Sequence, residues 1–189
     1  MSSPLRVRQR EAVRRAIDAA ALPLFLERGY DQVTTDEIAG AAGISPSTYY
    51  RHVPAKEDLL LRPIRASSAA IVERYAGRTA STPEQDLIEA IREQVAATSE
   101  TGPAQWRAVI ASVPGILDRV TLIADDDRRQ LIDIAAQRFG VDPDDDFRPG
   151  VCVAMVLAIV EYAYRRWVTA TDGRSLADYI EAALAARPL

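Results

Sequence analysis

The chain predicts an all-α fold, and three observations support this. Ala, Leu, Arg and Glu fill most windows of the 189 residues, and strand formers never dominate one. Apolar residues recur three and four apart over long stretches, the spacing of one helix face. Gly, Pro, Ser and Thr fall at the ends of those stretches, where helices start and stop. A hydrophobic fraction of 48% with 26% charged residues fits a folded chain with a substantial core.

The elements follow in chain order. A first helix is predicted from about Arg6 to Arg28, with Val13, Ile17, Ala20, Leu24 and Phe25 on one face and Gly29 as its stop. Pro23 lies inside it and predicts a bend, because proline removes one backbone bond. The stretch "TTDE" opens a second, short helix: Thr34 is placed to cap it and Glu37 to complete a capping box. Ile38, Ala39 and Ala42 form its apolar face, and Gly43 breaks it. Ser45 as N-cap and Pro46 at the first helical position start a third helix, which runs to about Val53, where Pro54 stops it. Two short helices joined by a glycine turn are a helix-turn-helix pattern, here at about residues 34–53.

A fourth helix opens at Lys56 or Glu57 and reaches about Tyr75, with a kink predicted at Pro63. Further helices are predicted at about 84–98, 103–113, 114–139, 146–170 and 175–186, about nine in all. The loop signals "GRTASTP", "ETGP", "GVDPDDD" and "TDGRS" separate most of them. Residues 6–65 are taken as one domain and 66–189 as a larger helical one.

Net charge is −4, but it divides unevenly. Residues 1–65 carry ten Arg and Lys against eight Asp and Glu, a balance of +2, so the remainder carries −6. Arg6, Arg8, Arg10, Arg14 and Arg15 face only Glu11. A basic head on an acidic body points to an anionic partner for the head alone. The third helix, "PSTYYRH", sharpens this. Tyr49 and Val53 are four apart and continue the apolar set, so they point inward. Ser47, Thr48, Tyr50, Arg51 and His52 are left on the surface, which suits a DNA-reading helix. Arg51 can bond a guanine edge in two places, and Ser or Thr can bond several bases. Tyr50, His52 and Lys56 fit phosphate better.

Other chemistries find little support. His52 and Cys152 are the only histidine and the only cysteine, so neither a disulfide nor a zinc cluster is expected. The aspartate runs 125–127 and 142–146 lack the glycine and terminal glutamate of a calcium loop. No nucleophile–base pair or phosphate loop appears, so neither an enzyme nor a cofactor is expected. No charged-then-apolar leader opens the sequence. The longest uncharged apolar run, Val151 to Val160, falls far short of the ~20 residues of a membrane span. A cytoplasmic protein with no membrane partner is expected.

Residues 19–60, "AAALPLFLERGYDQVTTDEIAGAAGISPSTYYRHVPAKEDLL", resemble the DNA-binding domain of the TetR family of bacterial repressors. Phe25, Gly29–Tyr30, Thr34–Thr35, Ile38–Ala39, Ala42–Gly43, Ser45, Thr48, Tyr50, His52 and Lys56–Leu59 carry the likeness. It is specific over roughly residues 8–65; beyond them it rests on length and helical architecture. The resemblance implies a homodimeric repressor on a near-palindromic double-stranded operator, released by a small-molecule effector. It implies a DNA-facing set of Thr34, Thr35, Ser45, Ser47, Thr48, Tyr50, Arg51, His52 and Lys56. Tyr49 departs from the usual aliphatic residue or phenylalanine, and its hydroxyl needs a partner or water.

For the second domain the resemblance implies a ligand pocket within the set Trp106, Arg107, Ile110, Val113, Leu117, Arg119 and Val120. Few charges interrupt it, so a mainly apolar or acyl-like effector is expected, with Arg107 or Arg119 toward an acidic headgroup. It further implies a dimer interface from the last two helices, through Val153, Val156, Leu157, Val160, Tyr164, Trp167, Tyr179, Ile180 and Leu184. The alternatives are a helical small-molecule carrier or adaptor without DNA binding and, behind it, an enzyme.

Overall fold

The computed structural model of the chain describes residues 4–99, 103–113, 115–116 and 122–187. Its helices are α1 (Pro4–Arg28), α2 (Thr35–Ala41), α3 (Pro46–His52), α4 (Glu57–Ala76), α5 (Pro83–Ser99), α6 (Pro103–Ser112), α7 (Asp125–Phe139), α8 (Arg148–Thr169) and α9 (Leu176–Ala185). No strand occurs among the described residues, so the fold is all-α. The chain forms two compact units, Met1–Pro63 with Ala104–Asp118, and Ile64–Pro103 with Arg119–Leu189. The first boundary between them falls inside α4, two residues before the one drawn from the sequence.

In the first unit α1, α2 and α3 pack pairwise. Ile17, Ala21 and Phe25 form the buried seam of α1, four apart, against Ile38 and Ala39 of α2 and Tyr49 and Val53 around α3. Leu59 and Leu60 of α4 are fully buried in the same unit, and Phe25 meets Tyr30 with ring centroids 5.1 Å apart. The α2–α3 turn is closed by the Gly43 amide on the Gly40 carbonyl at 3.1 Å and the Ile44 amide on the Ala39 carbonyl at 3.0 Å. Gly43 sits at φ +68°, the left-handed region that other residues rarely adopt. α1 is continuous through Pro23 and α4 through Pro63, so the predicted bends interrupt neither helix.

In the second unit α8 is the central element, packed on α9, α7 and α5. Its Val153, Val156, Leu157 and Ala163 join Leu87 and Ile91 of α5, Leu131 and Ala135 of α7, and Ile180 and Leu184 of α9 in one core. Tyr75, near the end of α4, is fully buried in the same cluster.

The predicted helix over 114–139 is corrected: residues 122–124 are not helical and α7 begins at Asp125. Two contacts fix that start. The buried Ser68 hydroxyl accepts the Ala124 amide at 3.1 Å and donates to Asp127. Asp125, Asp126 and Asp127 then occupy the first turn, at the positive end of the helix dipole.

Candidate nucleic-acid interface

The surface around α3 is built from its caps outward. The Ser45 hydroxyl accepts the Thr48 amide at 3.2 Å and donates to the Thr48 hydroxyl at 2.9 Å, with Pro46 at the start of the helix. These contacts set where α3 begins, and helix geometry sets its rotation. Tyr49 is fully buried and Val53 with it, so Ser47, Tyr50 and Arg51 project outward, flanked by half-buried Thr48 and His52. This is the division of faces that the four-residue spacing of Tyr49 and Val53 predicts.

The Tyr49 hydroxyl is buried without a hydrogen-bond partner among the described residues. Burial pushes the phenol up to about 12, so it stays neutral. Its ring meets Tyr50 edge-on, with centroids 5.6 Å apart and planes at 88°. Tyr50 is half exposed, and its hydroxyl pairs with that of Thr35 at 2.7 Å. That contact links the first turn of α2 to the outward face of α3.

Thr34 is the N-cap of α2 and forms the predicted capping box. Its hydroxyl accepts the Glu37 amide at 3.2 Å, and its own amide donates to Glu37 Oε2 at 2.8 Å. Arg28 reaches the other carboxylate oxygen at 2.7 Å. The Thr34 amide, then Arg28, hold the Glu37 carboxyl down at about 2, from an ordinary value of 4.5. A depressed carboxylate helps the fold above its unfolded value and loses that help as pH falls through its folded value. The α2 cap is therefore intact above about pH 4.5 and opens progressively toward pH 2. We predict that Thr34→Ala lowers stability by about 1 kcal/mol at neutral pH. In an acid titration followed by circular dichroism, Glu37→Gln flattens the limb below pH 4.5. An unchanged limb would remove the box from the account of α2.

Lys56 is engaged inside its own unit. Its ammonium donates to the Tyr30 carbonyl at 2.8 Å and the Val33 carbonyl at 3.0 Å, and lies 4.2 Å from the centre of the Tyr30 ring. Two of its three donors thus staple the start of α4 to the α1–α2 connection, a duty invisible in the sequence. Sequence reasoning also missed Arg62, which donates to Asp18 at 2.6 Å and ties α4 to α1. Nothing in the spacing of residues 44 apart signals that pair. His52 is held below its ordinary 6.5, first by burial and then by the positive charges of Arg51, Arg10, Arg14 and Arg62.

The remaining candidates are less gathered. Ile110 is buried, Trp106, Arg107 and Val113 are half-buried, and Leu117, Arg119 and Val120 lie outside the described residues. Val153, Val156, Leu157, Trp167, Ile180 and Leu184 are each less than a tenth exposed within their own chain. Their helical periodicity serves the core of their own unit. Val160, Tyr164 and Tyr179 remain half-buried. The outward face of α8 instead carries Val151, Met155 and Tyr162, each more than half exposed. No cluster of three His, Cys, Asp or Glu side chains able to hold a metal occurs among the described residues. No described helix is long and apolar enough to cross a membrane.

A capped helix presented on a compact helical head, with hydroxyls and an arginine facing out, defines a helix-turn-helix DNA-binding protein. Comparison with known proteins gives the family. Residues 17–62 match the family described as bacterial regulatory proteins, tetR family, and residues 85–186 match the MftR C-terminal domain. The chain is 32% identical over 178 residues to the HTH-type transcriptional regulator TcmR of Streptomyces glaucescens, covering 89% of this chain and 78% of that one. It is 35% identical over 79 residues to CymR of Pseudomonas putida, an HTH-type transcriptional regulator, covering 41% and 39%. The chain belongs to the TetR family of bacterial transcriptional regulators. Solved structures of the same fold include a TetR-family regulator of Syntrophomonas wolfei (TM-score 0.61, 18% identity, 93% and 92% of the two chains covered). Another is the Thermus thermophilus repressor FadR in complex with lauroyl-CoA (TM-score 0.53, 24% identity, 91% of each chain covered).

Proposed function

We propose that this regulator is a ligand-responsive repressor that binds a near-palindromic operator as a homodimer and acts in the cytoplasm. The observation that carries the reading is the outward face of α3. Ser47, Tyr50 and Arg51 project from a helix whose start and rotation are set by Ser45, Tyr49 and Val53. In that reading Ser47, Thr48 and Arg51 meet base edges, and Tyr50 and His52 meet backbone phosphates. Thr34, Thr35, Ser45 and Lys56 act mainly by holding the helices that present them. Two-fold symmetry places two such helices about 34–36 Å apart, one turn of DNA.

The second copy is proposed to dock on the outward stripe of α8. Val151, Met155, Ala158 and Tyr162 recur at helical spacing, and all are exposed. We predict that Tyr162→Glu yields monomers in sedimentation and weakens operator binding without changing the far-UV spectrum. A dimer that persists in Tyr162→Glu and in Met155→Glu would place the contact elsewhere.

The effector is proposed to be mainly apolar, with an acidic headgroup; FadR's lauroyl-CoA has that character. It would act by binding the DNA-competent and DNA-incompetent conformations unequally. Mobility shift with the DNA flanking its own gene, with and without long-chain acyl-CoA, tests both claims. Absence of any salt-sensitive, sequence-preferring complex would exclude the repressor reading and favour a carrier.

A further inference from the structure

In the second unit, surface arginines stand beside acids. Arg92 pairs with Glu89 and Glu181, Arg129 with Asp126, Arg165 with Glu161 and Arg187 with Glu84. The N-terminal part of α1 is different. From Pro4 to Ala16 it sets Arg6, Arg8, Arg10, Arg14 and Arg15 against Glu11 alone. Arg8, Arg10 and Arg15 are exposed and form no hydrogen bond or ion pair among the described residues. The buried seam of α1 starts at Ile17. Between Arg8 and Ala16 no residue is buried, and Val13 and Arg14 are half-buried. At about 1.5 Å per residue, Arg8 stands about 14 Å ahead of that seam along the helix. α1 thus projects beyond the part of it that packs on α2 and α3, and what it projects is basic.

Helix geometry sorts the three exposed guanidiniums. Arg10 stands seven residues before Ile17 and eleven before Ala21, so it continues the line of α1 that faces α2 and α3. Arg8 and Arg15, seven apart, share a line on the far side of the helix. α3 turns Tyr49 and Val53 into the unit and Ser47, Tyr50 and Arg51 away from it. A helix packed behind α3 lies about 8–10 Å from it. The major groove is about 8.5 Å deep. With α3 in the groove, α1 is level with the phosphate rim. Where α1 projects beyond its packed part, the Arg10 side is open toward that rim. Val13 is the one aliphatic residue larger than alanine between Arg8 and Ala16, so the extension has no apolar face to lay in a lipid surface.

We propose that the basic extension of α1 is a sequence-independent clamp on the DNA backbone beside the bases that α3 reads, with Arg10 on a phosphate and Arg8 and Arg15 turned away from it. The assignment rests on the DNA-binding reading and adds to α3 a contact that carries affinity without base preference. One guanidinium on one phosphate adds about 0.9 to the slope of log affinity against log salt, and two-fold symmetry doubles it.

The experiment uses the full chain and a duplex from the flank of its own gene. Arg10→Gln keeps a good helix former at an exposed position, so it is expected to fold as the parent does. It is expected to lower the salt slope by about 1.8 per dimer, to weaken operator and random duplex alike, and to leave base preference intact. Ethylation interference is expected to show a phosphate in each half-site whose modification hinders the parent and not Arg10→Gln. Arg8→Gln combined with Arg15→Gln is expected to keep that phosphate in the pattern and to change the slope by less than Arg10→Gln alone. An Arg10→Gln pattern identical to the parent's, in a complex that still prefers the operator, overturns the clamp and leaves the regulator reading standing. A loss in the Arg8 and Arg15 variant as large as that in Arg10→Gln overturns the assignment to one side of α1, because net charge then accounts for it. A parent with no sequence-preferring complex overturns both readings. Unchanged DNA binding in Arg10→Gln, with lost sedimentation on phosphatidylglycerol vesicles, gives the extension to a membrane and overturns the DNA assignment.

Discussion

Arg138→Met will destabilise the second unit by about 3–5 kcal/mol, the cost of removing one member of a buried ion pair. Asp86 is 2% exposed at its side chain and Arg138 14%, with 3.3 Å between Nη1 and Oδ2. Arg138 also donates to the Tyr75 and Arg78 carbonyls and lies 4.1 Å from the centre of the Tyr75 ring. One guanidinium therefore closes the carbonyl end of α4, stacks on an aromatic ring and neutralises a buried carboxylate. Methionine keeps much of the volume and none of the bonds, so Asp86 is left enclosed without its partner. Urea unfolding followed by the far-UV signal measures the loss. Asp86→Leu with Arg138→Met should recover much of it, because both charges then leave together. A single variant within 1 kcal/mol of the parent would show the pair to be hydrated rather than buried.

Arg51→Ala will leave the fold intact and flatten base preference. Arg51 is exposed in the last turn of α3, and its side chain makes no hydrogen bond or ion pair among the described residues. A bidentate arginine–guanine contact discriminates by about 1–3 kcal/mol, so each half-site is expected to lose about that much. Competition between the operator and random duplex at fixed salt reads it directly. Lys56→Ala is the informative contrast. Its ammonium is committed to the Tyr30 and Val33 carbonyls, so its loss should lower thermal stability and weaken all sequences alike. Equal effects of the two variants on base preference would undo the division between reading and holding.

Helix positions were legible because their signals are local. Thr34 and Glu37, Ser45 and Pro46, and Gly43 act on backbone groups within a few residues of themselves, and each does what its spacing implies. The division of α3 into an inner and an outer face was legible for the same reason. The start of α7 was not. Ala124 and Asp127 depend on Ser68, more than fifty residues away, and no local pattern reports a hydroxyl arriving from another helix. What meets the apolar stripe of α8 was not legible either. Val153, Val156 and Leu157 do form one apolar stripe, but it is met by α5, α7 and α9 of the same chain. A stripe has the same spacing whether its partner is intramolecular or a second copy.

Residue order alone therefore decides that the chain is helical, where most helices begin, and that "ISPSTYYRHVPAK" carries a helix offering Arg51 outward. These follow from hydrogen bonds and side-chain directions within one or two turns. Tertiary packing decides what each charged and apolar group is for. It turns Lys56 inward to two carbonyls, buries Asp86 against Arg138, ties Arg62 to Asp18, and leaves Val151, Met155 and Tyr162 outside. The reason is physical: a charge or an apolar face is defined by its partner, and these partners lie tens of residues away along the chain.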